Sequence, residues 1–272
     1  MKKVVVRLVA LTMAMSMLLL ASGCGKKAEN QGDLLSQIKE KGKIVVGTSA
    51  DYPPYEFHKE INGKDEIVGF DIAIAKEIAS DLGVQLEIKD MKFEGLLPAL
   101  KTGKIDFAMA GMTPKPERRK QADFTKIYYR AVQGMMIRAE DKDKIKTVAD
   151  LAGKVVGAQK ASIQADIAKD EIKGADVKEL GKVSDLVLEL QNKKIDAIIV
   201  ELPVAKAYVS KNSELALADN VTFQDAEGGS AIAVDKGNTT LVEAMNQTLD
   251  RLEQDKAIEK FVVEATALVE SK

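Results

Sequence analysis

The chain has no tryptophan, one histidine and one cysteine among 272 residues, and a formal net charge of only −2. Each shortage excludes something. A single cysteine, Cys24, cannot close an intrachain disulfide. With His58 as the lone imidazole there is no Cys/His set for zinc, so no metal is expected. No cysteine is left in the main body of the chain to serve as a nucleophile. Neither glycine-rich phosphate motif, G-x-x-x-x-G-K-[ST] or G-x-G-x-x-G, is present, so no nucleotide cofactor is expected. The near-neutral charge offers no attraction for nucleic acid. Six prolines and no polar tracts leave little room for disorder beyond short linkers. The apolar run at residues 8–20 falls short of the roughly 20 residues a membrane span needs.

What is present starts with that run. Lys2, Lys3 and Arg7 precede it, and Ala21, Ser22 and Gly23 follow it, the pattern of a secretory signal or of a short retained anchor helix. Cys24 comes next, in a position that resembles a bacterial lipobox, although Ala21 stands where leucine is commoner. A lipobox implies a diacylated thiol at the mature N-terminus and membrane contact through that lipid; the alternative is a free thiol lost with the signal. Residues 25–32, small and polar, read as a tether. The expected organisation is a signal at 1–23 and a lipid-anchored tether at 24–37, outside the membrane of a Gram-positive bacterium.

Two internal echoes set the architecture. "LLPALKTGKIDFAMAG" (96–111) and "LVLELQNKKIDAIIVE" (186–201) each run from an apolar helical face through Lys-Ile-Asp into an apolar strand. "KIVVGTSADY" (43–52) and "KVVGAQKASI" (154–163) each break from a short strand into a small-residue loop. Between them, Phe70, Ile74, Ile78 and Leu82 keep helical spacing up to a Gly83 stop. Val84, Leu86 and Ile88 alternate as a strand does. Strands alternating with helices predict an α/β fold in which each of two lobes is a mostly parallel sheet flanked by helices. Ligands of such sheets bind beyond the carboxyl ends of the strands. The loops to watch are therefore 49–52, 110–118, 159–162 and the residue Glu201.

Those loops carry a binding constellation. Arg118 is a planar fork suited to a carboxylate. Thr113 adds a hydroxyl, and Ala110 and Gly111 allow close backbone approach. Ser162, at an expected helix start, brings a hydroxyl and free amides to the same anion. Glu201 offers a negative charge to an ammonium. Tyr52 and Phe93 can sandwich an aliphatic stem. Together these describe a site for a free α-amino acid. Each residue also has an ordinary reading: surface ion pairs for Arg118 and for Glu201 with Lys206, a turn for Thr113, a helix cap for Ser162, and packing for Tyr52 and Phe93. His58 reads as a solvated loop residue, and Asp141 and Asp143 as members of a charged surface loop.

At this point "GFDIAIAKEIASDLG", "FEGLLPALKTGKID", "AGMTPKPERRKQADFTKIYY" and "VELPVAKAY" resemble the amino-acid-binding proteins of ABC importers, over about residues 44–261. The resemblance implies a hinge-bending fold with a ligand cleft between a discontinuous first lobe (38–130 and 230–272) and a second lobe (131–229). It implies crossings near residues 129–134 and 225–229, and a monomer that delivers an amino acid to an ABC permease. It also implies that Arg118, Thr113 and Ser162 hold the ligand carboxylate, that Glu201 and the carbonyl near Gly111 hold the ammonium, and that Tyr52 and Phe93 stack on its side chain. Ser49 and Gln159 stand where relatives carry an aspartate and a lysine, so the side-chain pocket is not assigned by analogy. Asp51, Glu94 and Gln159 are polar candidates for its end, which favours arginine or another basic amino acid, then glutamine. The competing readings are an enzyme on this scaffold, a cyclohexadienyl dehydratase with Glu201 or Glu94 as proton donor, and a sensor domain signalling through a separate partner.

Overall fold

The computed structural model describes residues 33–223 and 228–271. The expected signal, Cys24 and residues 225–227 of the second expected crossing lie outside them. A first helix, α1 (Leu34–Lys41), takes in the last four residues of the expected tether, 34–37, and buries Ile38. The first lobe continues with β1 (Lys43–Thr48), a small antiparallel sheet of β2 (Asp51–Tyr52), β3 (Glu56–Ile61) and β4 (Lys64–Val68), then α2 (Phe70–Leu82) and β5 (Gln85–Asp90). It adds α3 (Leu96–Lys101), β6 (Phe107–Ala108), the one-turn α4 (Pro116–Arg119) and β7 (Ala122–Phe124).

The chain then crosses into the second lobe. There it forms β8 (Gln133–Arg138), β9 (Val155–Gln159), α5 (Ile163–Glu171), β10 (Asp176–Leu180), α6 (Val183–Gln191), β11 (Ala197–Glu201), α7 (Leu202–Lys211) and β12 (Leu215–Phe223). It returns to add β13 (Ala233–Asp235), α8 (Thr239–Gln254) and α9 (Ala257–Glu270) to the first lobe. At the crossing, Tyr129 and Ser230 pair as an antiparallel bridge, with Ser230 N–H donating to Tyr129 O at 2.8 Å. Gly134, expected at the hinge, already belongs to β8.

The two main sheets share one plan. Their orders are β5-β1-β6-β13-β7 and β10-β9-β11-β8-β12. In each, four strands run in one direction and a single strand, β13 in the first sheet and β8 in the second, runs against them between its two neighbours. In the first sheet β13 enters on the return crossing; in the second β8 enters on the outward one.

The sequence echo has a packing cause. An added Cβ on Gly47 would stand 2.4 Å from Ile105 Cδ1 and 3.1 Å from Leu96 Cδ2. On Gly157 it would stand 2.6 Å from Ile195 Cδ1 and 2.9 Å from Leu186 Cδ2. Each lobe thus uses a bare spot on an inner strand, β1 or β9, to seat the Leu and Ile of its repeated helix-strand unit. The paired strand in the first lobe is shorter than its apolar run: only Phe107 and Ala108 of residues 105–110 lie in β6. In α2, Phe70, Ile74 and Ile78 are fully buried, as their spacing predicts, and Gly83 ends the helix in the left-handed conformation.

Candidate functional site

Arg118 sits in α4, which begins on Pro116, a residue whose fixed φ suits the first helical turn. The helix is a single turn, so the loop before it decides where Arg118 points. Its side chain is buried, at 5% exposure, which removes the surface ion-pair reading. Nη1 donates to Thr113 O at 2.7 Å within the first lobe. Nη2 donates to Ala161 O at 2.8 Å in the second. The guanidinium carbon lies 5.2 Å from the centroid of the Phe93 ring. Phe93 therefore supports the arginine, while Tyr52 packs against Tyr55 at 5.4 Å between centroids. Across the cleft, Ser162 caps α5, its Oγ accepting from Ala165 N–H at 3.2 Å.

Glu201 lies at the end of β11, immediately before α7. It is 3% exposed, so it too is no surface residue. Tyr55 from the first lobe hydrogen-bonds its carboxylate, and its own N–H donates to Tyr52 Oη at 3.2 Å. Gln164 Nε2 donates to Tyr52 Oη at 3.3 Å and to Gln133 Oε1 at 2.8 Å. Burial, reinforced by the Glu201 charge, pushes both tyrosine hydroxyls far above their ordinary range, so both remain donors.

At the other end of the cleft, Asp51 is held from both lobes. Ser49 Oγ donates to Oδ1 at 3.0 Å, Ser184 N–H donates to Oδ2 at 3.1 Å, and Tyr208 OH donates to the Asp51 carbonyl at 2.7 Å. Burial raises the Asp51 carboxyl; the Ser184 amide and the Lys182 charge hold it back. Gln159 Nε2 lies 3.5 Å from Ser49 Oγ. Glu94 faces Gly181 from the opposite lobe, and its Oε2 is buried without a donor. A groove of about 660 Å³ opens beside Asp51, lined among others by Phe57, His58, Lys182 and Tyr208. The lobes are closed onto each other, with Arg118, Ser49 and Tyr52 of the first meeting Ala161, Gln159 and Glu201 of the second; Ala110, Gly111 and Thr113 lie in the segment between β6 and α4.

Sequence reasoning missed a buried acidic pair beneath the site. Glu56 and Asp71 are both fully buried. Asp71 Oδ2 accepts from Gly111 N–H at 3.1 Å and from Tyr128 OH at 2.9 Å. Asp71 Oδ1 and both Glu56 oxygens meet no donor in the surrounding groups. Burial, then the neighbouring Asp71 charge, pushes Glu56 far up, while burial raises Asp71 to about 6. Both groups are thus pushed toward the protonated form by their burial. The signal was there in "PPYEF" and "GFD", where single acids interrupt apolar stretches.

Two expectations are corrected. Asp141 is not a solvated loop residue: it is buried and paired with Arg138 at 2.7 Å and Lys144 at 2.9 Å. Its neighbour Asp143 is exposed, as expected. His58 lies on β3 rather than in a loop, with Nδ1 2.8 Å from Asp65. Among the described residues no group of three or more His, Cys, Asp or Glu side chains could hold a metal ion, and no helix is long and apolar enough to cross a membrane.

Two lobes of one plan, closed over a buried arginine and a buried glutamate, define a binding protein of the hinge-bending type. The profile of the bacterial extracellular solute-binding proteins, family 3, matches residues 44–264, and the chain belongs to that family. It is 38% identical over 226 residues to the arginine-binding extracellular protein ArtP of Bacillus subtilis (strain 168), covering 81% of this chain and 85% of that protein. A crystal structure of the amino acid ABC transporter substrate-binding protein AbpA from Streptococcus pneumoniae Canada MDR_19A, bound to L-arginine, is similar with a TM-score of 0.84. The two are 38% identical, over 87% of this chain and 100% of that one. The ancestral amino-acid-binding protein AncCDT-1, a precursor of cyclohexadienyl dehydratase, is similar with a TM-score of 0.76 at 30% identity, over 86% of this chain and 100% of that one.

Proposed function

We propose that this chain captures a free polar L-amino acid, arginine first and glutamine second, by lobe closure, and delivers it to an ABC permease. The observation that carries the reading is the burial of Arg118 and Glu201, each tied to the opposite lobe. Arg118, Thr113 and Ser162 would take the carboxylate, and Glu201 with the backbone carbonyl near Gly111 the ammonium. Tyr52 and Phe93 would flank the stem, and Ser49, Asp51, Glu94 and Gln159 would meet its far end. Among the described residues, Asp51, Glu201 and the buried Glu94 oxygen of the cleft outnumber its buried cation Arg118, which favours a ligand with an added positive charge.

Closure follows from linkage: a ligand that touches both lobes binds the closed form better and shifts the population toward it. The first lobe is taken as 38–130 with 230–272 and the second as 131–229, in a monomer. Cys24 is the lipidated residue, holding the protein at the outer face of the membrane, as "ASGC" and the extracellular family support.

The test is a thermal-shift screen of the mature chain against all twenty amino acids, followed by calorimetry. A ligand at about a hundred times its dissociation constant adds about 2.7 kcal/mol of stability. If none raises the melting temperature, the reading falls. Cys24 is tested by labelling with a palmitate analogue, which a Cys24→Ala chain should not take up. The likeness to AncCDT-1 gives the dehydratase reading one observation; turnover of a cyclohexadienyl acid, lost in Glu201→Gln, would establish it.

A further inference from the structure

Asp71 lies outside the ligand-facing loops, yet it holds one of them. It is the second residue of α2, and its N–H donates to Tyr55 O at 3.0 Å, which locks the helix start against the turn that carries Tyr55. Its Oδ2 accepts from Gly111 N–H and from Tyr128 OH. Gly111 is in the left-handed conformation, with φ 57°, and an added Cβ there would sit 3.4 Å from the Tyr52 ring. The peptide plane at Gly111 is thus turned in a way most residues resist, and Asp71 grips its amide. The other grip on the same loop comes from the return crossing: Ala231 N–H donates to Met112 O at 2.9 Å.

Tyr128 completes the link. Its hydroxyl binds Asp71, and its N–H donates to Ser230 O at 2.9 Å, beside the Tyr129–Ser230 bridge. One carboxylate oxygen therefore bonds both the loop expected to face the ammonium and the segment about which the lobes swing. A fully buried carboxylate in contact with these two donors is a fixed point in the first lobe.

We infer that Asp71 is a positioning residue: by holding the Gly111 N–H it fixes the Ala110–Gly111 peptide, and so the carbonyl that this loop turns to the ligand ammonium, and it couples the loop to the hinge. This rests on the reading that a carbonyl near Gly111 and Glu201 receive an ammonium. It adds a residue that acts through Gly111 and touches no ligand.

The test is a thermodynamic cycle between protein and ligand. Mature wild type, Asp71→Asn and Tyr128→Phe are titrated by calorimetry with L-arginine and with 5-guanidinopentanoate, which lacks only the ammonium. L-Glutamine and glutaramate form a second pair. Wild type should prefer each amino acid over its desamino partner by about a hundredfold. Asp71→Asn should shrink that preference about tenfold and leave desamino affinity nearly unchanged. Equal weakening of both partners, or no weakening, overturns the inference while the ammonium reading stands. A wild type with no preference in either pair overturns both. Tyr128→Phe keeps the Gly111 bond, so it should retain the preference and lower both affinities together by a few fold. Unchanged affinities in that variant overturn the coupling to the hinge, even if Asp71→Asn does not fold.

Discussion

Lys182, in the turn ahead of α6 of the second lobe, places Nζ 2.8 Å from both carboxylate oxygens of Asp90 at the end of β5 in the first. Burial alone would raise the Asp90 carboxyl, but the Lys182 bond and the Ala50 amide more than offset it, and the group is held below its ordinary range. The pair exists only while the lobes are together. Both side chains keep some exposure, 22% and 28%, so its net worth is small. Lys182→Met is expected to weaken ligand binding by about 1 kcal/mol or less, mainly through faster release. It should also flatten the dependence of affinity on salt between about 0.05 and 0.5 M. Stopped-flow release rates at both salt levels check this; equal salt dependence in both proteins would remove the pair from the closed state's stabilising contacts.

Arg118→Ala is expected to reduce amino-acid affinity by about 3 kcal/mol or more, because a buried carboxylate loses its charged partner. Arg118→Lys keeps the charge but not the fork that reaches Thr113 O and Ala161 O, so it should recover only part of the loss. Calorimetry on the three proteins decides; unchanged affinity in the alanine variant would take Arg118 out of the site.

The Glu56–Asp71 pair makes a pH prediction. Both carboxyls bind protons more tightly folded than unfolded, burial raising Asp71 from its ordinary 3.8 to about 6. Their contribution is fully present below the unfolded value and is lost as pH rises through the folded one. For Asp71 this is up to about 3 kcal/mol between pH 4 and 7. Glu56→Gln/Asp71→Asn should therefore lose less stability than wild type over that range. Urea unfolding of the ligand-free proteins at pH 4, 5, 6 and 7 measures the difference, and parallel curves would contradict it.

Gly157→Ala should destabilise the second lobe by about 1–3 kcal/mol, since its Cβ would meet Ile195 Cδ1 and Leu186 Cδ2. Adding Ile195→Val removes Cδ1 and should restore about half of the loss. The same pairing in the first lobe is Gly47→Ala with Ile105→Val. Melting temperatures of singles and doubles test the equivalence; additive losses with no rescue would refute it.

The elements legible in the sequence were those whose pattern is local. The spacing of Phe70, Ile74 and Ile78 and the stop at Gly83 marked α2 because each depends on neighbours within a turn or two. Arg118, Thr113, Ser162 and Glu201 stand out as candidates because they lie at or just past strand ends, and in a sheet of this kind loop position follows from strand order. What was hidden depends on distant partners. Asp71 looks like an ordinary acid at a helix start; only the fold shows that Gly111 and Tyr128 meet it. Asp141 sits in a charge-alternating stretch and looked solvated. It is buried by Arg138, which reaches the Leu190 and Ile195 carbonyls and Asp196 from another part of the lobe.

The paired crossing of Tyr129 with Ser230 limits how this molecule can move. Two chain segments lying side by side form a ribbon, and a ribbon bends across its flat face far more easily than it twists or shears. Opening and closing should then follow a single arc, bringing the same second-lobe loops back to the same first-lobe loops on every cycle. Whatever waits outside the cleft would meet only two shapes, a spread one and a shut one, and the shut one always in a single register.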